Sequence, residues 1–303
     1  MHKSESNIII FSVMLCWASA YVFIKSLPPE LSDFGYLALM NGIAAILLVL
    51  CFFGRLRKML NKKNIIHGTV LAVLMMLVLI FEKEGIDRLK PSSASLLTSL
   101  DVVIVPVFML FLRKLPSKQQ IVRIAIILVG VFITNGVSIN DFPIAGTLFM
   151  LLDCICMSLY TVVSNIYARE DDAILLAVNQ IVVMAVISMI IWQIESPGMI
   201  FKLDYNRSFL SSIFVLAIFT KAFAYIMLMY GEKYGDPVDV VIIFAFEPVV
   251  TLFFEIFIPQ SFGGVEESFS LTSLIGALVI MSGTFGEYIM IRVQRLKARR
   301  AGS

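Results

Sequence analysis

Charge is scarce in this chain. Of its 303 residues only 15% are Asp, Glu, Lys or Arg, where a water-soluble domain carries about a quarter. Histidine is scarcer still. His2 and His67 are the only two, both near a chain or helix end, which leaves no histidine cluster for a metal or for general-base catalysis. The four cysteines, Cys16, Cys51, Cys154 and Cys156, all lie inside apolar runs and do not form the pattern of a disulfide framework. Long polar stretches are missing too. The longest connection between apolar runs, residues 195–207, leaves no room for a soluble domain. What remains is apolar: 59% hydrophobic, mean hydropathy +0.92. That composition belongs to a polytopic membrane protein. No cofactor, metal or nucleic-acid partner is expected.

Ten spans can be drawn: 7–26, 31–53, 65–84, 92–113, 120–138, 144–168, 173–194, 208–230, 237–258 and 271–292. The first imitates a signal peptide, with Lys3, an apolar run from Ile8 to Cys16 and Ala18-Ser19-Ala20. The run continues through Tyr21 to Ile24, so it reads as a first span. With the N-terminus placed in the cytoplasm, 17 basic residues fall on inside segments and 6 on outside ones, Lys221 lying within a span. Cytoplasmic segments collect Lys and Arg, so both termini are expected inside.

Eight of the ten prolines fall in loops or at span ends; only Pro106 and Pro248 lie within spans, the fourth and the ninth. These are equivalent places if five spans are repeated. Gly85 to Pro91 and Gly231 to Pro237 share a Gly-x5-Pro spacing, and Val129-Gly130-Val131 pairs with Ser282-Gly283-Thr284. An odd-numbered tandem unit must invert its second copy, as in many secondary transporters. The expected organisation is one all-α integral membrane domain with two inverted five-helix repeats, residues 1–140 and 141–303, the second ending in a basic cytoplasmic tail.

Four segments carry a family resemblance: Cys16 to Lys25; Ser92 to Leu100 with Val105-Pro106-Val107; Phe244-Ala245-Phe246-Glu247-Pro248-Val249; and Gly276 to Gly283. In this order they make the whole chain resemble the drug/metabolite transporter superfamily, in its EamA-like permease branch. The resemblance implies ten helices, two inverted repeats, and a central cavity lined chiefly by helices 1, 3, 4, 6, 8 and 9. It also implies transport of small metabolites without ATP. Departures from the family pattern are Asn41, where Arg is common, and Leu112-Arg113 and Gln260-Ser261, where Gly-Glu is common. Asp101 and Lys221 also depart, standing where an aromatic and a small residue are usual.

Asp101, Asp153, Lys221 and Glu247 lie near the centres of their spans. A charge at that depth costs about 2.5–3.5 kcal/mol on insertion scales, so these four are expected to face one another or water. Lys221 reads either as a cationic anchor or as half of a buried ion pair with Asp153 or Glu247. Asp153 shares a helical face with Met157, Tyr160 and Ser164, suited either to a wet path or to a helix seam. Asp101 lies about a turn before Pro106 and reads either as a site residue or as an acid facing a wide vestibule. Glu247 could carry protons, bind an amine, or bond the backbone groups freed by Pro248. Trp17 and Tyr21 either flank the substrate or pack a wall. Lys25, Glu82, Glu84 and Glu287 read as residues near helix ends that reach the membrane surface. Glu255 lies near the outer end of the ninth span, either with those or at the site. Asn41, Asn165, Asn179 and Gln180 read as interhelical bonds.

The expected function is a secondary transporter (permease), not an enzyme, in a bacterial cytoplasmic membrane. It would move small polar metabolites by alternating access, with Pro106 and Pro248 as hinges. Three acids and one base at depth suit an amino acid or amine, with proton coupling or exchange. Alternatives are a nucleotide-sugar or organic-anion carrier of the same fold, which would want more cations at depth, and an integral-membrane lipid enzyme, which would want a metal-ligand cluster.

Overall fold

The computed structural model describes residues 3–25, 27–28, 31–89, 97–135, 143–247, 249–250, 254, 272 and 274–286. Among these, all regular structure is helical. The order is α1 (Lys3–Lys25), α2 (Asp33–Met59), α3 (Lys62–Ile86), α4 (Asp101–Phe111), α5 (Lys118–Asn135), α6 (Ile144–Glu170) and α7 (Ala173–Glu195). Then come α8 (Arg207–Val215), a π-helical stretch (Leu216–Phe223), α9 (Ala224–Tyr234), α10 (Pro237–Phe244) and α11 (Leu274–Gly286).

Local chemistry sets several helix starts. Ser32 accepts from the Gly35 amide at 3.2 Å, and Asp172 accepts from the amides of Ile174 and Leu175 at 3.1 and 3.2 Å. Ser117 and Gln120 form a reciprocal capping box at the start of α5, each side chain accepting the other's amide. Among the described residues, five helical stretches are long and apolar enough to cross a membrane: Asp33–Met59, Lys62–Gly85, Ile144–Glu170, Ala173–Glu195 and Phe209–Tyr234. Shorter apolar helices cover Glu5–Ala20, Asp101–Phe111 and Leu274–Gly286. The helices overrun several expected spans because their polar ends continue the backbone hydrogen-bond ladder past the apolar core.

The chain forms two compact units. The first holds residues 1–77, 160–236 and 250–267. In it α2 packs along α7, α1 along α9, and α2 also meets the π-helical stretch. Its rim is rich in ion pairs. Arg55 pairs with Asp172, Lys63 with Glu170 at 2.8 Å, and His67 Nδ1 lies 2.6 Å from Asp171 while its ring stacks on Tyr167.

The second unit holds residues 78–159, 237–249 and 268–303. Here α5 and α11 cross closely at glycines. A Cβ on Gly130 would meet the Ile280 backbone nitrogen at 2.8 Å, and one on Gly283 would meet the Arg123 carbonyl at 3.1 Å. Small residues permit such backbone approach inside membranes. Beside the crossing sits a buried clasp. Arg123 donates to Asp239 Oδ1 (3.1 Å), the Gly283 carbonyl (3.1 Å) and the Thr284 carbonyl (2.9 Å). One guanidinium thereby joins α5, α10 and α11. At the end of α4, Arg113 adopts a left-handed backbone (φ 58), a conformation that glycine takes more readily than arginine.

Candidate functional site

In the first unit the candidate site gathers around the π-helical stretch. Such a widened turn is found mostly as an insertion in α-helices, frequently at functional places. Lys221 lies in it and is 8% exposed. Its Nζ sits 5.4 Å from the ring centre of Tyr225, within range of a cation–π attraction. Trp17 of α1 completes the group. Its ring lies 5.9 Å from that of Tyr225, and its Nε1 donates to the Thr220 carbonyl at 3.2 Å. Tyr160 is buried in the same unit, its hydroxyl hydrogen-bonded to Gln180 and within electrostatic reach of Tyr225. Asn41 is fully buried in α2, and neither of its amide atoms has a hydrogen-bond partner. Tyr21 follows Trp17 by four residues on α1; its side chain lies outside the described residues.

The second unit gathers acids. Asp101 opens α4 and accepts from Ser158 Oγ at 3.4 Å; the Cys154 thiol donates to the Leu97 carbonyl at 3.0 Å. Asp153 is 5% exposed, and its Oδ1 is buried without a partner. Asp101 and Asp153 are within electrostatic reach of each other, and Glu82 is within reach of Asp101, Asp153 and Glu247. Four carboxyl groups therefore feel one another across a medium that screens charge poorly. Pro106 is buried in α4 a little over one turn beyond Asp101. Pro248 lies outside the described residues. Among the described residues no three His, Cys, Asp or Glu side chains are grouped to hold a metal ion.

Three residues, Tyr225, Arg123 and Asp239, were missed in the sequence, and Glu82 was misplaced. Glu82 reads there as a surface-reaching residue; it is half-buried and touches the field of all three acids at depth. Tyr225 lies four residues after Lys221, a helical-neighbour spacing that was available to find it. The Arg123–Asp239 clasp joins residues 116 positions apart and left no local mark. Asn165 and Gln180 do form interhelical bonds, Asn165 to the carbonyls of Glu232 and Gly235 and Gln180 to Tyr160.

A helical membrane chain with charge and aromatics at depth defines a membrane transporter in outline. The chain belongs to the EamA-like transporter family, whose sequence pattern matches residues 5–136 and 144–288. It is similar to an uncharacterized transporter of Archaeoglobus fulgidus, 22% identical over 291 residues, covering 93% of this chain and 97% of that one. A solved crystal structure shares the fold, with a TM-score of 0.74 at 20% identity, over 99% of this chain and 100% of that one.

Proposed function

We propose that this transporter is a secondary carrier of amine-type metabolites, amino acids included, working by alternating access in a bacterial cytoplasmic membrane. The observation that carries the reading is the group of acids in the second unit, Glu82, Asp101, Asp153 and Glu247. An ammonium group is the ligand such a group prefers. Acids that feel one another's charge also take up and release protons as a set, which suits proton coupling or exchange. In the first unit, Lys221 with Trp17 and Tyr225 supplies the opposite chemistry, a cation framed by aromatic faces. Tyr160, bonded to Gln180, and Tyr21, on the helix of Trp17, belong to the proposed substrate-facing set.

The proposed frame is ten spans, both termini in the cytoplasm, with inverted repeats over 1–140 and 141–303. The two matched family stretches and the Lys and Arg distribution support it. Pro106 and Pro248 would be the flexing points of equivalent helices.

The test is a thermal-shift screen of the purified protein with amino acids, amines, nucleosides and sugar nucleotides, followed by flux into proteoliposomes. Amines or amino acids should raise the melting midpoint and be carried. Stabilisation and flux with sugar nucleotides alone would overturn the amine reading. Glu247→Gln should remove flux driven by a pH gradient while leaving exchange; unchanged gradient dependence would free Glu247 from proton coupling.

A further inference from the structure

One buried acid takes no part in either group. Glu232, in the last turn of α9, is 1% exposed. Its backbone carbonyl accepts from Asn165, and its carboxyl group is within hydrogen-bonding reach of Ser164 and Asn165 on α6. The second carboxyl oxygen, Oε2, is buried without a partner. An ionised carboxylate only accepts hydrogen bonds, and an oxygen of it left unserved in the interior is costly. A proton on that oxygen removes the buried charge, the larger part of the cost.

α1 packs on α9 at the residue next to Glu232. There, a Cβ on Gly231 would meet Ile10 Cδ1 at 2.3 Å, so the missing side chain is what lets α1 close in. Ser6 Oγ fixes the contact by donating to the Gly231 carbonyl at 2.7 Å. The ionisable neighbours are few. From α6 come Tyr160 and Arg169, whose Nη2 also donates to the Gly235 carbonyl at 2.7 Å. Asp236 follows on the chain, and the adjacent Lys233 donates to the Asp171 carbonyl at 2.9 Å. On α1 the nearby Glu5 is exposed, and α7, packed against α9, has no ionisable side chain before Glu195.

We propose that Glu232 is a proton-binding site of the carrier, separate from the acids of the second unit. It takes a proton on Oε2 while the carboxyl is buried and releases the proton when the α1–α9 packing beside it, at Gly231, opens. The link to flux rests on the secondary-carrier reading; the proton site itself does not.

Two readouts keep these apart. Infrared difference spectra of the purified protein in lipid, titrated with acid and base, should show a carboxylic-acid carbonyl band. Glu232→Gln should delete that band and Glu232→Asp should keep a shifted one. In proteoliposomes under a pH gradient, Glu232→Gln should flatten the pH profile of flux with the melting midpoint held. A spectrum unchanged by Glu232→Gln overturns the proposal. Dependence on a sodium gradient lost with Glu232→Gln also overturns it, since the ligand would then be a metal cation. A lost band with an unaltered flux profile overturns the link to transport. If the wild-type protein shows no flux with any amine, the carrier reading fails and the infrared result decides the proton site alone.

Discussion

The two units handle charge differently at depth. The first places a cation, Lys221, beside the ring of Tyr225 and keeps its arginine and lysine ion pairs exposed, Arg55 being 40% exposed. The second places acids at depth and, besides the exposed pairs Lys83–Asp87 and Arg88–Glu84, buries the Arg123–Asp239 pair, Arg123 being 5% and Asp239 1% exposed. The difference separates two jobs that charge does in a membrane protein. A buried pair with several hydrogen bonds across helices fixes those helices in place, while charges held by an aromatic ring or by one another remain available to a ligand.

The contrast can be broken most severely at the clasp. Arg123→Ala should destabilise the protein by about 3–5 kcal/mol, because Asp239 would be left as a buried charge without its partner. Thermal or denaturant unfolding in detergent measures this, and a loss below about 1 kcal/mol would show that the clasp is incidental. Lys221→Ala tests the other kind of charge. Flux should fall about a hundredfold, equivalent to about 2.7 kcal/mol, with melting nearly unchanged; near-normal flux would remove Lys221 from the site.

Glycine contacts sharpen the comparison at a smaller scale. Gly130→Ala would press a methyl onto backbone atoms of α11, whereas Gly231→Ala would press one onto the mobile end of Ile10. Overpacking costs about 1–3 kcal/mol, so Gly130→Ala should lower the melting midpoint more than Gly231→Ala. The reverse order would mean that the α5–α11 crossing yields more easily than the α1–α9 contact. The smallest effect belongs to the rim: Arg55→Ala should change stability by no more than about 1 kcal/mol, as exposed pairs do.

Much of the helical fold was legible in the sequence because apolar length is a direct measure of a span. The acids at depth were legible for the same reason, each interrupting an apolar run. Glu82 was not, since a charge near a helix end looks the same whether it reaches outward or inward. Glu232 and Asp239 flank the break between the eighth and ninth expected spans, where charged residues look solvated. Their burial depends on Gly231 and on Arg123, which act across long separations in sequence. The eighth span read as one uniform helix, and the π-helical stretch within it could not be seen, because its residues are as apolar as those of the α-helices on either side.

That stretch has a geometric consequence. A π turn holds surplus chain within a helix, and each residue of an α-helix advances it by about 100°. Removing one residue between Leu216 and Phe223 would restore a uniform helix and rotate everything beyond it by about that angle. Tyr225 would swing away from Trp17, and Gly231 would leave the face it now presents to Ile10. The widened turn therefore sets the rotational phase of α9, at which the cation's aromatic partner and Gly231 each meet a residue of α1.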